Sequence, residues 1–165
     1  MKLIQKTISD VSDVKVTFYT AQLKSQIDDI LVICFKLHRD VNSRDLCFMD
    51  AMKIAGAKIW LSSAIILDFR ELSYKWGDTM QCLFQSPYPK PSSPLEKIFA
   101  GPEKKFHIVA VTSPLNQKGL TSLIQSEMGK NPSKLLFDSL ETAVKSIETE
   151  LLKQDSATEI KKDAA

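Results

Sequence analysis

The stretch ILDFRELSYKWGDTMQCLF, residues 66–84, decides the fold. With the two residues before it, it opens as Ala64-Ile65-Ile66-Leu67-Asp68-Phe69, an apolar run that does not alternate with polar residues. A strand with one wet face would alternate. An unbroken run is the pattern of a parallel strand covered on both faces. Helical spacing resumes at Met80, Leu83 and Phe84, and Gly77-Asp78-Thr79 make the turn between. The loop after a buried parallel strand, at its C-terminal end, is where α/β sheets bind ligands and partners. The turn is therefore either a working site or a helix cap with Asp78 or Thr79 as the capping residue.

The same pattern recurs on both sides. Upstream, residues 2–8 and 14–20 read as two short strands, the second rich in β-branched and aromatic residues. Residues 29–37 carry the unbroken run Ile30-Leu31-Val32-Ile33-Cys34-Phe35, a second strand buried on both faces. A helix follows, capped by Asn42 or Ser43, with Cys47, Ala51, Ile54, Ala55 and Lys58 at helical spacing along its expected inner face. Downstream, four prolines among residues 86–94 remove backbone donors and mark a loop. A short helix over 95–100 is expected to close it. Residues 105–112 are a third buried strand, and Ser113-Pro114 reads as cap and first residue of the next helix. That helix presents Leu115, Leu120, Leu123, Ile124 and Met128, and Gly129 ends it. Residues 134–137 form a short strand. Asp138 with Glu141 then fits a capping box for a last helix, whose stripe is Leu140, Ala143, Val144, Ile147, Leu151 and Leu152. From about Gln154 the chain is polar and reads as a frayed tail.

The order is β-β-β-α-β-α-β-α-β-α. It predicts an α/β fold: a mixed, mostly parallel sheet of about five to six strands flanked by helices. Residues 1–153 are expected to form one domain with a proline-rich insertion near 86–103, and residues 154–165 a disordered tail. A chain of 165 residues, 44% apolar and 25% charged, suits that size.

Composition excludes several functions. Lysine and arginine number 22 against 20 acidic residues, a net charge of +2. That balance gives no electrostatic reason to expect nucleic acid. The N-terminus lacks a signal-peptide core, and no apolar run approaches membrane-spanning length, so membrane insertion is not expected. Cys34, Cys47 and Cys82 are far apart, odd in number and without a C-x-x-C pair, which speaks against disulfides and zinc. The expected compartment is reducing and cytoplasmic.

Catalytic signatures are missing too. His38 and His107 stand alone, with no carboxylate or second histidine at metal-ligand spacing, and read as structural. The five glycines are isolated, so neither a phosphate-binding loop nor a dinucleotide fingerprint exists, and no G-x-S-x-G elbow is present. No catalytic residue, metal or cofactor is expected.

The strand Ile65-Ile66-Leu67-Asp68-Phe69, the approach Leu72-Ser73-Tyr74 and the apolar positions Met80, Leu83 and Phe84 resemble the STAS domain family, whose best-known members are anti-sigma-factor antagonists. Phe106-His107-Ile108-Val109-Ala110-Val111 is similar to the family's next strand, Ser113-Pro114 to its next helix start, and the stretch from Phe137 to Val144 to the entry of its last helix. Asp29 to Leu37 and the helix from Ser43 are similar to its early strand and first helix. The resemblance spans roughly residues 28–153. It implies a non-catalytic interaction module in bacterial regulation, with a kinase or anti-sigma-like protein or a transporter subunit as partner. It places the working surface at Ser73, Tyr74, Trp76, Gly77, Asp78 and Thr79 and on the helix after them. Family members carry Asp-Ser-Ser-Gly there, with one serine phosphorylated. Here Trp76, Gly77, Asp78 and Thr79 occupy those positions, so the phosphoacceptor is replaced by Asp78, a fixed negative charge that partly imitates phosphoserine. Two other readings fit the same fold: a dedicated inhibitor that neutralises a toxin, with the proline-rich loop as contact surface, and a small-molecule or lipid-binding protein. Self-association into a homo-oligomer stays open.

Overall fold

The computed structural model describes residues 11–22, 29–75, 79–88 and 106–163, with side chains described as far as Gln154 in the last segment. Five strands form one sheet in sequential order. They are β1 (Lys15–Gln22), β2 (Asp29–Asp40), β3 (Ala64–Ser73), β4 (His107–Val111) and β5 (Leu136–Phe137). β1 runs antiparallel to β2, and β2 through β5 are parallel. The helices are α1 (Ser43–Trp60), α2 (Gln117–Ser126) and α3 (Leu140–Asp163). This is the mixed, mostly parallel α/β sheet expected from the alternation. The expected strand at 2–8, the helix at 95–100 and most of the proline-rich loop lie outside the described residues.

β3 is the centre. Residues 64–69 are buried without exception, as the unbroken apolar run requires. Alternate residues serve two cores. Ile65, Leu67 and Phe69 join Leu31, Ile33 and Phe35 under α1, α2 and the 3-10 helix Thr79–Phe84. Ala64 and Ile66 join Ile30, Val32, Val109 and Val111 under Ala143, Ile147 and Leu151 of α3.

Several local expectations are corrected. α1 buries Leu46, Met49, Lys53, Gly56 and Ala57, while Cys47, Ala51 and Lys58 are exposed. The helical period was legible but its rotation was not, because a buried lysine hid the inner face. Lys53 Nζ donates to the carbonyls of Cys82 (2.8 Å) and Gln85 (3.0 Å) and pairs with Asp50 Oδ1 at 2.7 Å. The apolar positions Met80, Leu83 and Phe84 are buried as expected, but on a 3-10 helix whose last carbonyls Lys53 collects. Asn42 caps α1 in a full capping box with Asp45. The last helix is capped by Ser139, whose Oγ accepts from Thr142 N, and not by Asp138. In its stripe Leu152 is exposed. Gly129 sits at φ +59°, the left-handed terminator expected after the preceding helix.

Replacing Lys53 with methionine keeps the aliphatic stem but leaves buried carbonyls without a donor. Lys53→Met is expected to cost about 3 kcal/mol in urea unfolding, with the native fold retained.

Candidate functional site

The C-terminal ends of the parallel strands meet the start of α2, and this junction is built on an asparagine. Asn116 is buried. Its Nδ2 donates to the carbonyls of Phe69 (2.5 Å) and Leu72 (2.8 Å), and its Oδ1 accepts from Ser113 N at 3.1 Å. Ser113 Oγ donates to the Arg70 carbonyl at 3.0 Å. The outgoing end of β3 is thereby tied to the loop before α2. This overturns Ser113-Pro114 as a helix start: residues 114–116 form a turn and α2 begins at Gln117. The serine that reads locally as a cap is claimed by a strand carbonyl 43 residues earlier.

The chain leaves β3 through Ser73, Tyr74 and Lys75. Ser73 Oγ donates to Asp40 Oδ1 at 2.6 Å, and Lys75 Nζ approaches Asp40 Oδ2 at 3.4 Å. The Ser73 hydroxyl first, then Lys75, hold the Asp40 carboxyl below its ordinary value. Tyr74 is buried. Gly119 of α2 lies against its backbone: a Cβ at position 119 would stand 2.8 Å from the Tyr74 carbonyl and 3.0 Å from that of Lys75. Only glycine permits that approach. Between the strand exit and α2 runs an open cleft of about 740 Å³, lined by Ser73, Tyr74, Lys75, Leu115, Lys118 and Ser122 among others. Leu115 was expected on the inner face of its helix. It is instead 61% exposed on the cleft wall, because the helix starts two residues later.

Of the residues singled out in the sequence, Ser73 and Tyr74 stand together at this cleft. Trp76, Gly77 and Asp78 lie outside the described residues, and Thr79 opens the 3-10 helix. The structure adds Asp40, Lys75, Asn116 and Gly119. Their sequence neighbourhoods carried no signal, because each acts on a partner distant in the chain.

The second charged constellation lies in mid-sheet. Asp68 is buried and bonds both backbone and side chains. Its Oδ1 accepts from Arg70 Nε (2.9 Å) and Arg70 N (3.1 Å). Its Oδ2 accepts from Arg70 Nη2 (2.7 Å) and the Cys34 thiol (3.4 Å). Burial pushes the carboxyl up, but the Arg70 guanidinium and backbone N–H outweigh it and hold the acid below its ordinary range. Burial, and then the neighbouring Asp68 charge, push the Cys34 thiol up to about 12. Burial also raises Cys82. Both thiols stay protonated at neutral pH, the unreactive form. His38 is exposed, and His107 contacts Gln154 of α3. Among the described residues no group of three or more His, Cys, Asp or Glu could hold a metal, and no helix is long and apolar enough to cross a membrane.

The architecture is the mixed, mostly parallel α/β sheet that the sequence predicted, with its five strands in sequential order. No family model and no curated protein matches the sequence. Among solved structures, an anti-sigma factor antagonist from Mycobacterium paratuberculosis is similar at 10% identity, with a TM-score of 0.49 over 81% of this chain and 95% of that one. A likeness at that level carries no information about what this chain binds.

Two outcomes test the site's construction. Asn116→Ala leaves two buried carbonyls without donors and is expected to cost roughly 2–4 kcal/mol by chemical denaturation. Asp68 has a lowered pKa in the folded state, so its stabilisation is complete above the ordinary carboxylate value of about 4 and is lost as pH falls through the folded value. Unfolding free energy is therefore expected to drop as pH falls below about 4. Asp68→Asn is expected to be less stable at pH 7 and to lose less stability on acidification.

Proposed function

We propose that this chain is a non-catalytic STAS-like interaction module in bacterial regulation, acting in the cytoplasm. It binds a protein partner through residues 73–79, the 3-10 helix after them and the flank of α2. One observation carries this reading: the C-terminal end of the parallel sheet is an open cleft with a large apolar side chain, Leu115, standing exposed on a wall that also carries Lys75 and Lys118. An apolar anchor within a polar rim is the composition of a protein-binding surface. The cleft lies where parallel α/β sheets place their binding loops.

The chemistry supports binding over catalysis. The polar side chains at the strand exit are engaged: Asn116 and Ser113 donate to β3 carbonyls, and Ser73 donates to the Asp40 carboxylate. Cys34 and Cys82 are protonated thiols. In this reading Trp76 is the second apolar anchor, since tryptophan is enriched among hot spots. Asp78 supplies the constant negative charge that a phosphoserine would supply conditionally. The partner contact then needs no kinase.

A photo-reactive residue at position 115 tests the reading. It is expected to crosslink one protein in lysate of the native organism. The purified partner is then expected to bind Leu115→Asp and Asp78→Lys at least tenfold more weakly than the parent, while Lys145→Glu, on the exposed side of α3, binds normally. Equal binding by all three variants sinks the proposed surface. A crosslinked nuclease or other toxin replaces the regulatory reading with the inhibitor one.

A further inference from the structure

We propose that the chain binds a small phosphorylated molecule in a basic groove between β4, α3 and the loop that precedes β5. The groove shares no lining residue with the cleft, and its ligand does not rest on the function proposed there.

The whole chain is close to charge balance, with 22 basic residues against 20 acidic ones. The groove is not. Lys130, Lys134 and Lys153 line it, and Glu150 is the one acid among the described residues that do. Glu150 is engaged with Lys153, Oε1 to Nζ 2.7 Å. Among the described residues neither Lys130 nor Lys134 has an acidic partner. Like charges on the walls of a concave surface repel one another and raise its positive potential. An anion lodged between them relieves that repulsion.

The loop that displays two of these lysines is held from within. Lys130 N donates to the Ile124 carbonyl at 3.0 Å, which ties the start of the loop to α2. Asn131 Oδ1 accepts from Ser133 N (3.0 Å) and from Ser133 Oγ (2.9 Å). Leu135 N donates to the Pro132 carbonyl at 2.9 Å, and Pro132 fixes its own φ. A loop ordered in this way loses little backbone freedom when a ligand settles on it.

The cations select the kind of anion. They come from two elements, Lys130 and Lys134 from the loop and Lys153 from α3. A carboxylate is planar and carries one charge, and the arginine fork is its closest match. A phosphate monoester carries close to two charges and turns oxygens in several directions, and lysine binds it as a point charge. The rest of the lining is largely apolar. Phe106, Leu135 and Ile147 contribute to it, and the Phe106 ring is set edge-on to Tyr88 with centroids 5.3 Å apart. A groove of about 680 Å³ has the size of a small-molecule site, and apolar walls with a few polar groups are the composition of one. The ligand class that fits is a phosphate carried on an apolar or aromatic body.

Amide NMR of the full chain titrated with phenyl phosphate, an aromatic ring bearing one phosphate, is the test. The expected result is saturable binding with shifts at residues 130–135 and 146–153. Inorganic phosphate, which lacks the ring, is expected to bind more weakly. Lys130→Glu and Lys134→Glu are each expected to weaken phenyl phosphate at least tenfold. Both side chains are exposed, and either variant keeps the test readable if the other fails to fold. Lys15→Glu makes the same charge change on the opposite edge strand and is expected to bind as the parent does. Phosphatidylcholine vesicles containing phosphatidic acid present the same phosphate on a lipid, and no capture by them is expected. Four results each overturn the proposal: no saturable binding of phenyl phosphate, inorganic phosphate bound as tightly, equal weakening by Lys15→Glu, or capture by the vesicles without binding of phenyl phosphate.

Discussion

A strand that is apolar on both faces cannot stand at an edge or meet water on either side, and β3 is such a strand. From Ala64 to Phe69 no residue is exposed. That requirement puts β2 and β4 beside it, α1 and α2 above it and α3 below it. Parallel neighbours follow, because each return to the sheet passes through a helix that covers one face. The one charged residue within the buried stretch, Asp68, is tolerated because Arg70, two residues along the same strand, lies on the same face and neutralises it. Removing either partner would leave the other half of a charge pair at the sheet surface under α3.

The end of β3 has the opposite character. Its last carbonyls point out of the sheet where ladder pairing is giving out, and they need donors. Asn116 and Ser113 supply them. The loop before α2 is therefore as well determined as the strand, although nothing in it is regular. Gly119 lets the helix close onto the Tyr74 and Lys75 carbonyls. The floor of the cleft is built from these rigid contacts, and its wall carries Leu115 outward. Binding surfaces on α/β scaffolds commonly have this division, with backbone held by buried polar side chains and side chains free to meet a partner.

Lys53 shows the same logic on the other side of the core. A buried ammonium is costly unless it is paired and hydrogen-bonded. Here it meets Asp50 and the carbonyls that end the 3-10 helix Thr79–Phe84. The buried charge terminates a backbone segment 29 to 32 residues away in the chain.

Much of the fold was legible in the residues themselves. Unbroken apolar runs identified β2, β3 and β4, since a continuous run needs cover on both faces wherever it lies. Asn42, one of two cap candidates, and Gly129 marked helix ends through bonds and backbone conformations that are local. The family resemblance pointed to Ser73 and Tyr74, and both stand at the cleft. What the tertiary structure decided is everything that depends on a distant partner. The inner face of α1 turned on the carbonyls that receive Lys53. The start of α2 turned on strand carbonyls that claimed Asn116 and Ser113, and this sent Leu115 outward. Helical period and capping chemistry are properties of neighbouring residues. Which polar groups can be buried depends on acceptors that only the folded chain brings within reach.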